Sequence, residues 1–146
     1  MEQRLSVITL GVADLTQAKN FYDSVGWRAV NENSDEIQNI VAYNLMGFSL
    51  VLYPLDKLAD DATISMQKTG HPSFTLAYNV RSPKEVDSTL EKIERAGGQI
   101  IKPAQKVFWG GYSGYFSDPD GYLWEVAHNP FSPLGGKGEF QWTVES

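Results

Sequence analysis

The sequence predicts an α+β protein made of two βαβββ modules, because one order of strand and helix signals occurs twice along the chain. In each repeat a β-branched or aromatic strand leads into a capped amphipathic helix, and three further strand segments follow. We predict a single domain over residues 1–130, with one module at about 5–55, the other at about 72–130 and a polar linker at 56–71. Residues 131–146 form a C-terminal tail.

The first module is defined by its opening strand and helix. Residues 7–12 are β-branched and typical of a strand, and Asp14 is placed to cap a helix over residues 15–24. One face of that helix is apolar and carries Leu15, Ala18, Phe21, Tyr22 and Val25. Gly26 ends the helix. Three more strands are predicted, at residues 27–31, 37–44 and 48–53.

The second module repeats this order from Ser73 onward. Residues 74–80 are typical of a strand, and Ser82-Pro83-Lys84-Glu85 combines a capping box with proline at the first helical position. Apolar residues at helical spacing follow, namely Val86, Leu90 and Ile93, before Gly97 and Gly98 end the helix. The remaining strands are predicted at residues 99–101, 112–117 and 122–127.

Aligning the two modules makes the duplication testable. Val12 matches Val80 where the first strand meets the helix, Val7 then matches Thr75, and Val51 in the last strand matches Glu125. The alternative is that any two amphipathic α/β stretches can be superposed. The shared element order and turn glycines favour a true repeat.

Composition excludes several classes of function. The 18 acidic and 12 basic residues give a net charge of -6 without a Lys/Arg cluster, so a nucleic acid partner is not expected. The chain has no cysteine, which excludes disulfides, thiolate zinc sites and a cysteine nucleophile. The start lacks a basic-then-apolar leader, and no apolar run approaches the ~20 residues that span a bilayer. We therefore expect a cytoplasmic protein that does not bind a membrane.

Glu125 is the most informative candidate residue. The turn Asp118-Pro119-Asp120-Gly121 leads into a largely apolar strand in which Glu125 is the one carboxylate, and a charge there needs a cation, a metal or hydrogen-bond donors. Three roles stay open: a relic of a metal site, a polar anchor for a ligand, or a general base. The possible donors are Ser73, Thr75, Tyr78 or a tyrosine from another strand.

Motifs at both ends of the chain resemble the vicinal oxygen chelate superfamily, which includes glyoxalases, extradiol dioxygenases and bleomycin-resistance proteins. The matching segments are Val12-Ala13-Asp14-Leu15, Phe21-Tyr22, Gly26-Trp27, Gly110-Gly111-Tyr112, Asp118-Pro119-Asp120-Gly121 and Trp124-Glu125-Val126. The resemblance covers almost all of residues 5–130. It implies that the two modules form a half-open β-barrel around the active site, and that the protein is a homodimer.

The resemblance also implies where metal ligands would lie. In metal-dependent members they come from the first and last strands of each module, and the corresponding residues here are Val7, Val51, Thr75 and Glu125. Valine has no donor atom and a neutral threonine hydroxyl is a poor ligand, whereas a catalytic site normally needs about three His or carboxylate ligands. We therefore predict no cofactor and no metal, with a divalent ion held by unexpected ligands such as His71 as the alternative.

Aromatic residues suggest a pocket for an organic ligand. Several of them lie close together on a glycine-flanked segment, and such walls suit a flat organic molecule, although ordinary core or dimer packing explains them as well. The residues that we predict to bind a ligand are Thr75, Trp109, Tyr112, Tyr115 and Glu125. His128 is expected on the strand face opposite Glu125, with a structural role. We expect the tail to wrap a partner subunit, or alternatively to close the cavity.

Two function hypotheses of different classes follow, and a third assigns no chemistry to the domain. The first is a protein that binds a small apolar or aromatic organic molecule without a metal, as in the drug-binding branch of the superfamily. The second is a lyase, dioxygenase or isomerase that acts through Glu125 or an atypical metal site. The third is an accessory domain that kept the scaffold and lost the chemistry.

Overall fold

The computed structural model describes residues 1–30, 39–67 and 70–143, which divide into two compact units at Gly70. Unit 1 contains β1 (Val7–Val12), α1 (Leu15–Ser24), β2 (Val41–Asn44), β3 (Ser49–Pro54) and α2 (Leu55–Ala62). Unit 2 contains β4 (Leu76–Asn79), α3 (Pro83–Arg95), β5 (Gln99–Lys106), β6 (Tyr112–Ser117) and β7 (Leu123–His128). The protein is therefore α+β, as the sequence predicts.

Unit 1 is a sheet of three strands with α1 packed against β3. The strand order is β1-β3-β2, with β3 parallel to β1 and antiparallel to β2. Asp14 caps α1 by accepting from the backbone N–H of Gln17 at 2.9 Å, which confirms the predicted start of that helix. The core of the unit is built from Leu10, Val12, Ala18, Phe21, Tyr22, Tyr43, Leu50 and Leu52, all of them buried.

Two parts of unit 1 differ from the sequence prediction. Residues 27–30 form no strand: the Trp27 ring packs 5.3 Å from Tyr22, and Val30 makes a single backbone bond to Ala42. Trp27 packs on the core of the unit whereas Val30 is exposed, so the strand-like composition of this segment did not indicate a strand. Asn31 and residues 37–38, which were also predicted as strand, lie outside the described residues. Helix α2 occupies the first part of the segment that the sequence analysis treated as a linker.

Unit 2 is a sheet of four strands, in the order β4-β7-β6-β5, with α3 packed against one face. Val86, Leu90 and Ile93 of α3 are buried, as their spacing predicts. The helix approaches β6 closely at Gly114, because a Cβ added there would lie 2.7 Å from Leu90 Cδ1. The same Cβ would lie 2.9 Å from the Lys102 carbonyl oxygen of β5, so glycine fits both the helix and the neighbouring strand at this point.

The ends of two elements in unit 2 were predicted imperfectly. Strand β5 runs to Lys106 instead of Ile101, with register shifts on either side of Lys102 that a strand at the sheet edge tolerates. Ser82 caps α3 as predicted by accepting from the Glu85 N–H at 3.2 Å. The Glu85 carboxylate, however, accepts from the N–H of Arg81 at 2.9 Å, one residue earlier than in a standard capping box.

The strand registers support the predicted repeat. In unit 1, Thr9 of β1 is the Cα partner of Val51 of β3. In unit 2, Ala77 of β4 is the Cα partner of Glu125 of β7, and both pairs are parallel. The sequence alignment that matches Val7 with Thr75 also matches Thr9 with Ala77, so the modules share one register.

Candidate functional site

Glu125 lies in the middle of the unit 2 sheet, between β4 and β6. Its Cα partners are Ala77 on one side and Tyr115 on the other, and directly opposed residues share a sheet face. The Tyr115 hydroxyl donates to Glu125 Oε2 at 2.6 Å. The donor that the half-buried carboxylate needs is thus a tyrosine from another strand, one of the sources that the sequence analysis named.

The contact between Tyr115 and Glu125 changes the acidity of the phenol. The hydrogen bond to Glu125, then burial, and then the negative charge of that carboxylate together raise the pKa of Tyr115 to about 12. At neutral pH the phenol is therefore a firmly protonated donor. The two side chains together carry one negative charge.

The turn before β7 fixes the start of this strand. Asp118 Oδ1 accepts from the N–H groups of Asp120 and Tyr122 at 3.0 and 2.9 Å, and Gly121 adopts φ 84°, which favours glycine. The His71 Nδ1 lies 2.8 Å from the Gly121 carbonyl oxygen. His71 is therefore engaged with the turn, in a structural contact.

A cavity of about 290 Å³ lies in unit 2, with Glu125 in its wall. Ala77 of β4 and Ala127 of β7 also line it, as do the amide side chains Asn79 and Asn129. The larger apolar lining residues are Tyr78, Trp109, Leu134, Phe140 and Trp142. Aromatic walls with a few polar groups are typical of sites for small organic molecules.

The C-terminal tail supplies one side of the cavity wall. Two hydrogen bonds hold the tail in its conformation. Gly135 N donates to Glu139 O at 2.9 Å and closes a turn, and Thr143 N donates to Ser132 Oγ at 3.0 Å and joins the two ends of the tail. Arg81 Nη2 donates to the Gly135 carbonyl at 3.1 Å, which ties the tail to the start of α3. The tail residues Leu134, Phe140 and Trp142 line the cavity, which agrees with the alternative prediction that the tail lies over it.

The predicted ligand-binding residues do not all meet in one place. Trp109 and Glu125 line the same cavity, and Tyr115 is bonded to Glu125. Tyr112 lies on the opposite sheet face, where its hydroxyl donates to Asp87 Oδ1 at 2.7 Å. Thr75 is exposed just before β4, outside the described residues of the cavity wall.

The opposite face of β7 carries His128 and Trp124, as strand alternation predicts. His128 Nδ1 lies 3.3 Å from the Val80 carbonyl, and His128 and Tyr112 line a second cavity of about 570 Å³. Trp124 is buried and stacks on Phe116 with ring centroids 5.9 Å apart. Neither His128 nor Trp124 contributes to the described wall around Glu125.

Phe140 and Trp142 are the two largest tail residues that line the cavity and are missing from the predicted ligand-binding set. Their rings pack edge to face, with centroids 5.2 Å apart. The available signal was the presence of two large aromatic residues in a loop-like tail, which must contact some surface. Nothing in that pattern specifies which surface they contact.

The family resemblance implies a divalent metal in some members, so we tested the donor set against it. The corresponding residues are Val7, Val51, Thr75 and Glu125, which offer one carboxylate, one hydroxyl and two aliphatic side chains. Within residues 1–30, 39–67 and 70–143, no group of three or more His, Cys, Asp or Glu side chains could hold a metal ion. The four aligned residues therefore do not fit a divalent metal ion.

Each unit carries one sheet with a helix packed on it, and in unit 2 a cavity lies beside the middle of the last strand. The chain belongs to the Glyoxalase/Bleomycin resistance protein/Dioxygenase superfamily, whose family model matches residues 4–126. This assignment agrees with the resemblance drawn from the motifs. Among the described residues, no helix is long and apolar enough to cross a membrane.

Solved structures in the same family resemble the chain closely. A glyoxalase-related enzyme from Fulvimarina pelagi is 36% identical with a TM-score of 0.89, and the match covers 98% of this chain and 100% of that one. A fosfomycin resistance protein from Listeria monocytogenes is 25% identical with a TM-score of 0.66, covering 88% and 95%. A lactoylglutathione lyase from Agrobacterium tumefaciens, 21% identical with a TM-score of 0.66 and covering 88% and 96%, shows the fold alone. A search of curated proteins finds no match.

Proposed function

We propose that the protein binds a small apolar or aromatic organic molecule in the unit 2 cavity, without a bound metal ion. The observation that carries this proposal is the composition of the cavity wall, in which Trp109, Phe140 and Trp142 line the same space as the single carboxylate of Glu125. Such a wall stabilises a ligand mainly by apolar and ring contacts, while Glu125 orients it.

The absence of a metal from this proposal rests on ligand chemistry. Valine cannot coordinate an ion, so the aligned positions in β1 and β3 contribute nothing, and Thr75 and Glu125 alone fall short of the usual set of about three ligands. Tyr115 already donates to Glu125 Oε2, and that hydrogen bond satisfies part of the carboxylate without an ion. Metal analysis of protein purified without chelator is expected to show a substoichiometric content.

Tryptophan fluorescence can test the binding proposal. Trp109 and Trp142 line the cavity, so a nitroaromatic probe bound there should quench them. We expect neutral 4-nitrobenzyl alcohol to quench saturably, and Trp109→Phe or Trp142→Phe to remove part of the change. Trp27→Phe is the matched control, because Trp27 packs against Tyr22 and Tyr43 in unit 1. Linear quenching equal to that of free tryptophan amide would contradict the proposal.

An enzyme is the second candidate function, and two observations favour it. Glu125 both lines the cavity and accepts from Tyr115, an arrangement in which the carboxylate could take a proton from a bound substrate. The relative from Fulvimarina pelagi is described as a glyoxalase-related enzyme. Under this alternative the chain is a lyase, dioxygenase or isomerase, acting through Glu125 or through a metal bound by unexpected ligands.

Glu125→Gln separates the two candidates, because glutamine keeps the shape and can still accept from Tyr115 but is not a base. If Glu125 acts as a base, turnover falls while 4-nitrobenzyl alcohol still binds. If the protein only binds, no turnover of dicarbonyl–thiol adducts or catechols is detected in either form. A purely structural role of Glu125 would appear as a lower melting temperature alone.

The proposal includes a homodimer in the cytoplasm. Several large apolar side chains of unit 1 are exposed, including Leu5, Val7 and Ile64, and exposed apolar surface favours association. Sedimentation at micromolar concentration tests this part, and a mass of one chain would contradict it.

A further inference from the structure

The unit 2 cavity holds a carboxylate but no cationic side chain in its described wall. Glu125 is half-buried there, and none of the described lining residues is Lys, Arg or His. The ion pairs found in the described part of the chain join Arg4 to Glu2 and Lys19 to Asp23, so neither involves Glu125. A partly desolvated carboxylate is stabilised most by an opposite charge.

Tyr115 does not neutralise this charge. Its hydroxyl donates to Glu125 Oε2 at 2.6 Å, but the phenol is a neutral donor that keeps its own proton. A carboxylate has two oxygens that can accept several hydrogen bonds, so one phenol donor uses only part of this acceptor capacity. The pair therefore offers a negative site to whatever enters the cavity.

Aromatic rings and small side chains surround the carboxylate. The rings of Trp109, Phe140 and Trp142 contribute to the wall, and the faces of such rings attract cations. Ala77, opposite Glu125 on β4, and Ala127, two residues along β7, add only methyl groups to the same wall. A ligand can therefore approach Glu125 between two small residues.

We propose that the ligand of this cavity is an organic cation: an aromatic or apolar molecule that carries a protonated amine or a quaternary ammonium group. This inference rests on the proposed function and adds the charge of the ligand to it. The ammonium group lies against Glu125, and its apolar part contacts Trp109 and the tail residues Phe140 and Trp142. An anionic ligand is disfavoured, because it meets Glu125 in a chain whose net charge is -6.

A matched series of probes tests the charge preference. The probes are 4-nitrobenzylamine, which is a cation at neutral pH, neutral 4-nitrobenzyl alcohol and anionic 4-nitrobenzoate. We expect the full-length protein to bind the amine about tenfold or more tightly than the alcohol, as one cation close to a partly buried carboxylate and aromatic rings should give. We expect the benzoate to bind more weakly than the alcohol.

Glu125→Gln should abolish the preference, so that this variant binds the amine and the alcohol with similar affinity. Asp87→Asn is the matched control, because Asp87 also accepts from a tyrosine, Tyr112, but on the opposite sheet face. It removes the same charge from the protein and should keep the preference. Tyr115→Phe retains the Glu125 carboxylate and should also keep the preference for the amine. It provides a second variant if Glu125→Gln does not fold.

The outcomes separate this inference from the proposed function. If the wild-type protein binds amine and alcohol equally, or prefers the benzoate, the inference about charge is wrong while the binding function stands. If Asp87→Asn loses the preference as fully as Glu125→Gln, the effect comes from net charge and the assignment to Glu125 is wrong. If none of the three probes binds, both the inference and the proposed function are overturned.

Discussion

Tyr115 and Glu125 are cross-strand partners joined by a 2.6 Å hydrogen bond, and the same β6 strand presents Tyr112 to Asp87 at 2.7 Å on its other face. Two tyrosines three residues apart thus each donate to a carboxylate, one beside the aromatic cavity and one beside α3. Tyr112 and Asp87 are therefore natural controls for Tyr115 and Glu125.

The first prediction concerns the ionisation of these two tyrosines. Glu125 raises the pKa of Tyr115 to about 12, and Asp87 raises that of Tyr112 through their hydrogen bond, so both should ionise late in an alkaline titration. Glu125→Gln should move one tyrosine to lower pH in the ultraviolet absorbance of tyrosinate, and Asp87→Asn should move a different one. In a Tyr115→Phe background, Glu125→Gln should no longer shift any tyrosine. If it still causes the same shift there, the assignment to Tyr115 is wrong.

The second prediction is a loss of stability at alkaline pH. Tyr115 has its ordinary pKa of 10.0 when unfolded and about 12 when folded, so its contribution is fully present below pH 10. The contribution is lost as the pH rises from 10.0 towards about 12, because only the unfolded chain releases the proton there. Urea unfolding at about pH 9 and about pH 11 should show a smaller decrease in the free energy of unfolding for Tyr115→Phe than for wild type.

Tyr53→Phe, in β3 of unit 1, is the control for this alkaline experiment. It removes a phenol that has no part in the contact with Glu125. Equal pH dependence in Tyr53→Phe and Tyr115→Phe would argue against the hydrogen bond as the cause.

The third prediction concerns the contact of α3 with β6. A Cβ at Gly114 would lie 2.7 Å from Leu90 Cδ1 and 2.9 Å from the Lys102 carbonyl oxygen, and the carbonyl belongs to the backbone and cannot simply rotate away. Gly114→Ala should therefore lower the free energy of unfolding by about 1–3 kcal/mol, as overpacking generally does. Gly136→Ala, whose Cβ would meet nothing within 4 Å, should stay within about 0.5 kcal/mol of wild type. Equal stability of the two variants would refute the close approach.

The fourth prediction concerns the tail. Trp142 lines the cavity although its exposure is 75%, so Trp142→Ala should weaken binding of 4-nitrobenzyl alcohol with little change in melting temperature. We expect a loss of about threefold or more, the size of one aromatic contact. Phe108→Ala is the control, because Phe108 is fully exposed at 102% and lies outside the described cavity wall. Calorimetry measures both, and an unchanged affinity in Trp142→Ala would remove the tail from the site.

Local signals in the sequence were sufficient for helices α1 and α3 and for the repeat. Asp14 and Ser82 are caps whose effect depends on the next three residues alone, so the starts of α1 and α3 could be predicted. Helix α2 was missed because it is only 8 residues long and has no side-chain cap at its start. Leu55 and Leu58 matter through their contact with Gly11 of β1, where an added Cβ would lie 2.6 Å from Leu55 Cδ1.

The candidate site could be predicted only in part. Alternation along β7 correctly placed Glu125 opposite Trp124 and His128. The partner of Glu125 depends on the register of β6 against β7, which no local pattern specifies, so Tyr112 and Tyr115 could not be told apart. The position of Phe140 and Trp142 depends on the path of the tail, which has no periodicity to read.

Lys137 lies exposed in the turn of the tail, between the contact of Arg81 with Gly135 and the two aromatic residues that follow. Trypsin cleaves after lysine, and a single cut at this position would separate Phe140 and Trp142 from the sheet that carries Glu125. A preparation nicked there would hold this part of the wall only through the hydrogen bonds of Gly135 with Glu139 and of Ser132 with Thr143.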